Sequence, residues 1–164
     1  MILDSMSNSV EQPERQRTGQ STVVVVDYDL RVVSPADDSG ISLVSTVLTE
    51  QFTGSLAGTG VADHVRVVRA DGTDTFTGVE RFDGTLDGRP GSFVLTAQGY
   101  TTGAGFVHGH WEVVPGSATR ELTGLRGHGV FTFVPEHGEA ADAATTDGPG
   151  RGAAADTFTY WYEK

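Results

Sequence analysis

Glu80 lies in a run, Phe76 to Gly84, that alternates apolar and polar residues. Successive side chains of a strand point to opposite faces. Phe76, Gly78, Glu80, Phe82 and Gly84 therefore share one face, and Thr75, Thr77, Val79, Arg81 and Asp83 the other. The second set is the more polar, so the first points inward and takes the Glu80 carboxyl with it. Burial among aromatic rings disfavours the charged carboxylate and raises its pKa. A proton held near neutral pH in this way suits a general acid or base. Glu50 repeats the placement on the stripe Val44, Thr46, Leu48, Glu50 and Phe52, at a position expected to be nearer a mouth of the fold and wetter. These two glutamates are the candidate catalytic residues. Phe52, Phe76, Phe82, Phe93 and Trp111 are the candidate ligand-binding wall. A competing reading makes Glu80 a structural carboxylate tied to Arg126, Arg69 or a tyrosine hydroxyl, because buried charges are usually paired. The aromatic residues then become plain core.

Other chemistries find less support. His108, His110 and Glu112 stand on one strand face, and two imidazoles with a carboxylate are metal ligands by type. Trp111 and Val113 on the opposite face look inward, however, which puts the histidines on the outer wall. Consecutive side chains on a flat strand also splay apart, so no metal site is expected. The chain has no cysteine, which removes disulfides, thiolate metal sites and a cysteine nucleophile. Gly124, Gly127 and Gly129 precede no helix and are accompanied by no lysine, so they form no phosphate cradle. No Gly-x-Ser-x-Gly elbow marks a hydrolase serine. No cofactor is expected. Arg126 and Glu121 read as an exposed loop ion pair without function.

The elements that position these residues are strands. Glycine makes up 22 of 164 residues, about twice its usual share, which suits a turn-rich β protein. Strand-like runs cover Thr22–Val33, Ile41–Ser55, Val61–Arg69, Thr73–Leu86, Arg89–Tyr100, Phe106–Val114, Leu122–Val134 (interrupted by glycines) and Thr157–Tyr162. Gly58 and Gly60 are read as a turn. Asp71-Gly72 and Asp87-Gly88 are hairpin signals, since both residue types tolerate the positive φ of primed turns. No amphipathic helix is evident. Eight antiparallel strands in meander order close most economically into a barrel, which removes exposed edges; a β-sandwich is the alternative. The expected fold is thus all-β, a closed, mainly antiparallel eight-stranded barrel over residues 21–164. A disordered leader (1–20) precedes it, and a mobile low-complexity loop (136–156) lies before the last strand.

Net charge is −11, from 22 acidic and 11 basic residues. Such a surface repels phosphate backbones and anionic lipid, so nucleic acid and membrane are not expected partners. The first 20 residues lack a signal-peptide apolar run, which makes the cytoplasm the expected compartment. At 164 residues the chain reads as one domain.

The stretch from Phe52-Thr53-Gly54 through Gly78-Val79-Glu80-Arg81-Phe82 and Gly91-Ser92-Phe93-Val94-Leu95 resembles an uncharacterised bacterial family of unknown function. Trp111 to Ser117 and Glu121 to Gly127 continue the likeness, which covers about Ile41 to Phe133. The resemblance implies the barrel of allene oxide cyclase, related to dirigent proteins. Those relatives bind apolar ligands inside the barrel, steer cyclisations without a cofactor and commonly associate. An apolar small molecule and a homo-oligomer are therefore the expected partners. The family often carries a histidine where this chain has Ala97. The present sequence thus departs from an inward Glu–His pair at that position. Three classes of function stay open at this point: a cofactor-free isomerase or cyclase using Glu80, a non-catalytic binding barrel, and a structural module with a filled interior.

Overall fold

The computed structural model describes residues 15–135 and 152–164. Within them run β1 (Arg17–Ser34), β2 (Ser42–Gly54), β3 (Leu56–Val68), β4 (Asp74–Leu86), β5 (Arg89–Thr101), β6 (Val107–Val113), a 3₁₀ turn (Arg120–Leu122), β7 (Leu125–Phe133) and β8 (Ala154–Tyr162). The eight strands form a closed barrel in chain order, each antiparallel to its neighbours, with β1 sealing against β8. The expected barrel is present, and the sandwich alternative falls away.

Closure is strongly staggered. The hydrogen-bonded row that starts at Leu30 passes through Thr46, His64, Gly78, Ala97, Trp111, Gly129 and Phe158, and returns to β1 at Gly19. Strands must tilt to close with such an offset. A register irregularity between Val25 and Asp27 adds a bend to β1.

The alternation assigns the faces as the sequence implied. Phe76, Glu80 and Phe82 are buried, while Thr75, Val79 and Arg81 are exposed. Inside, the barrel is chemically divided. One half is packed with Leu56, Phe82, Leu86, Phe93, Leu122 and Leu125, each at most 2% exposed. Burying a side chain of this kind is worth about 1.5–3 kcal/mol, so this half anchors the fold. The other half faces inward with Thr46, His64, Arg66, Asp74 and Asp156 among the aromatic rings. The asymmetry places any chemistry.

Several boundaries differ from the sequence reading. β1 begins at Arg17, inside the expected leader; the rest of that leader, 1–14, lies outside the described residues. Gly58 and Gly60 are interior to β3, and the β2–β3 turn falls at Gly54 (φ 117°) and Ser55. Leu125–Phe133 is one strand despite its glycines. Ala154, Ala155 and Asp156 belong to β8, while 136–151 lies outside the described residues. The two Asp-Gly turns also differ from each other. Asp87 and Gly88 both have positive φ (47° and 86°), as a primed two-residue turn requires. At Asp71-Gly72 only Gly72 does (83°), and the Asp71 carboxylate instead accepts hydrogen bonds from Thr73 N (2.9 Å) and Oγ1 (2.7 Å).

Candidate functional site in the barrel interior

Glu80 on β4 and Glu50 on β2 are separated by β3, where Gly60 stands opposite Glu50 and Ala62 opposite Glu80. A Cβ at Gly60 would overlap Glu80 Oε2 and press Phe52 Cε2 at 2.8 Å. The bare backbone of Gly60 therefore lets the Glu80 carboxyl lie across β3 and meet Glu50. Glu80 is 7% exposed, and its carboxyl is raised well above the ordinary glutamate range. Burial is the first cause; the charge of Glu50, a hydrogen-bonding contact with it and the more distant charge of Asp156 follow. Glu50 retains partial exposure, yet burial also raises its carboxyl, and the contact with Glu80 pulls the other way. Two carboxyls in contact cannot both ionise cheaply. Burial and the neighbouring charge thus favour the protonated form of Glu80 more strongly than that of Glu50. Glu80 Oε2 has no hydrogen bond of regular geometry among the described residues, so its tie to Glu50 is a carboxyl–carboxyl contact alone.

The opposite wall repeats the device. Trp111 on β6 reaches across Gly129 of β7, where a Cβ would lie 2.7 Å from the indole, and donates Nε1–H to Asp156 Oδ1 at 2.8 Å. Asp156 is 3% exposed. Burial pushes its carboxyl up to about 6 against the lowering effect of the indole bond. Its Oδ2 has no partner among the described residues.

Thr46 Oγ1, Arg66 Nε and Asp74 Oδ1 are likewise buried without partners among the described residues. Unpaired buried polar atoms are rare and call for a hydrogen-bonding guest, either water or the polar group of a ligand. They gather in the polar half of the barrel. His64 is stacked on Phe76 with ring centroids 5.1 Å apart. Its burial, aided by the charge of Arg66, holds its pKa down to about 4, so it is a neutral imidazole at neutral pH.

All the sequence-derived candidates face the interior. Phe82 is the junction of the aromatic set, 5.2 Å from Phe52 and 5.1 Å from Phe93 by ring centroids. These three belong to the packed half. Phe76 and Trp111 border the polar half, near Phe131 and Phe158 respectively. The structure corrects three of the readings above. The partner of Glu80 is Glu50 rather than an arginine or a tyrosine. Glu50 is desolvated rather than wet. Arg126 pairs with Glu163 (2.8 Å), not Glu121. Rings lie over three inward glycines: Phe76 over Gly99, Phe131 over Gly109 and the His64 imidazole over Gly78.

On the outer wall, His110 is exposed and its Nε2 lies 2.6 Å from Gln98 Nε2. His110 and Glu112 border an open groove of about 540 Å³ with Asp63, Val65 and Val79. Among the described residues no three His, Asp or Glu side chains converge as metal ligands. No helix among them is long and apolar enough to cross a membrane.

Asp156, Arg66 and His64 were missed as site residues. Asp156 had a signal, since Ala154, Asp156, Phe158 and Tyr160 alternate toward the interior, but the small-residue composition before it concealed the start of the strand.

Similarity to known proteins agrees with this architecture. No curated protein matches the sequence. A crystal structure from Shewanella oneidensis MR-1, described as a protein with unknown function from the DUF3224 family, superposes with a TM-score of 0.62 at 26% identity. The match covers 93% of this chain and 100% of that one. The family described as protein of unknown function DUF3224 matches residues 18–142 directly, and this chain, with its closed barrel and interior carboxyl pair, belongs to it.

Proposed function

We propose that the barrel binds a largely apolar small molecule in its polar half and moves a proton on it without a cofactor, in an isomerisation or ring closure. The observation that carries this reading is the buried contact of Glu50 with Glu80 beside unpaired polar atoms and aromatic walls; on this reading the two carboxyls share one proton. In such a step the Glu80 acid gives its proton to one atom of the ligand. A carboxylate of the pair takes a proton from another, so the pair ends with the protons it began with and no electrons are exchanged. Acid–base help of this kind is typically worth about 10²–10⁴ in rate. Trp111 and Phe76 would bear on the apolar body of the ligand. Binding without turnover is the second reading, favoured by the absence of an imidazole at Ala97, which sits between Gly78 and Trp111 in the sheet.

Native mass spectrometry of gently purified protein tests the reading. A co-purified small molecule is expected, and the protein should convert it with a rate that falls about 10²–10⁴-fold in Glu80→Gln while the complex persists. A fully stable Glu80→Gln protein with unchanged turnover would end the catalytic proposal.

A further inference from the structure

Three acidic side chains from three strands, Glu50 (β2), Glu80 (β4) and Asp156 (β8), face the interior, and the charges of Glu50 and Asp156 both act on Glu80. A cluster of acids alone does not define a site. Here Asp156 Oδ2 lacks a partner among the described residues on a side chain only 3% exposed, and Glu80 Oε2, on one 7% exposed, has only its contact with Glu50. Asp156 Oδ2 can only accept a hydrogen bond when its carboxyl is ionised, so its missing partner is a donor. No lysine or arginine of the described residues pairs with any of the three. Arg66 on β3 acts on His64 instead, and the ion pairs of Arg120 and Arg126 lie elsewhere, with Asp83 and Glu163. The nearby walls are aromatic: Trp111, bonded to Asp156 through its indole N–H, and Phe52 near Glu80. Carboxylate oxygens recognise an organic cation through charge-assisted hydrogen bonds, and the aromatic rings suit the apolar body that carries it.

We infer that the ligand of this barrel carries a protonated amine on its apolar body, seated between Asp156 and the Glu50–Glu80 pair. This rests on the lumen being the ligand site, and it adds the charge and the donor chemistry of the guest. A cationic guest offsets part of the negative charge that these carboxyls carry when ionised. Of the remaining inward groups, His64 is neutral at neutral pH, Asp74 (β4) and Arg66 (β3) lie in the same half, and β5 and β7 bring no titratable side chain to the interior. The amine stays charged between pH 5 and 8, whereas Asp156 loses its proton around 6. Affinity for a cation must therefore rise with pH across that window.

Matched probes of one shape test the inference: cyclohexyl- and naphthyl-methylamines, the corresponding alcohols and the corresponding carboxylates. Binding is followed by calorimetry and by the NMR shifts of the Trp111 indole N–H, Gly60 and Gly129. The amines should bind at least tenfold more tightly than the alcohols at pH 7.5 and lose that margin by pH 5, with the carboxylates weakest. Asp156→Asn should cut amine affinity about tenfold and leave the alcohols unchanged. If that variant fails to fold, the pH series on the native protein carries the same test. Alcohols or carboxylates binding as tightly as amines would overturn the cationic guest while leaving the lumen a ligand site. Absence of interior shifts with every probe would overturn both.

Discussion

Asp156 illustrates how surroundings set the proton affinity of a single residue. Burial raises it to about 6, and the Trp111 N–H bond opposes that rise. The folded state holds this proton more tightly than the unfolded chain does. The stabilisation it gives is complete below the unfolded value of about 3.9 and is lost as pH rises through 6. His64 runs the other way. Its folded pKa of about 4 lies below the unfolded value, so its contribution is complete above about 6.5 and is lost as pH falls toward 4. Asp156→Asn keeps an oxygen for the indole and removes the titration. Denaturant unfolding across pH 4–7 should show the native protein losing about 1–3 kcal/mol relative to this variant as pH rises. Parallel profiles would contradict the burial of Asp156.

At the scale of elements, glycines in the middle strand of a triplet let side chains of the two flanking strands meet. Gly60 joins Glu80 to Glu50, and Gly129 joins Trp111 to Asp156. Gly60→Ala should cost about 1–3 kcal/mol by overpacking and uncouple the two glutamates. Gly103→Ala, whose Cβ would meet only Thr73 Cγ2 at 4.0 Å, should leave both stability and titration nearly unchanged. Chemical denaturation of the two variants makes the comparison, and an equal effect would sever Gly60 from the pair. These devices explain what was legible in the sequence. Strand faces follow from period-two alternation, so Glu80, Glu50 and the aromatic wall could be assigned inward from residue types alone. Which inward side chains touch depends on register between strands distant in sequence. The pairing of Glu80 with Glu50 was therefore hidden, and a salt bridge was the reasonable default. Gly60 read as a turn because a strand glycine and a turn glycine look alike until the register shows what lies over it.

The molecule as a whole combines a packed apolar half, which secures the fold, with a half whose buried polar atoms outnumber their partners. The proposed proton transfer and the cationic guest both depend on the pair of carboxyls sharing a proton. Carbon-13 NMR titration of protein labelled at the glutamate carboxyls, assigned with Glu80→Gln and Glu50→Gln, measures that directly. Two glutamates should titrate well above the exposed ones, Glu80 highest. In Glu50→Gln the Glu80 transition should move down, because one of the causes that raise it is the charge of Glu50, while burial keeps it above the ordinary range. Glu80 titrating near 4.5, or unmoved when Glu50 is neutralised, would contradict the shared proton.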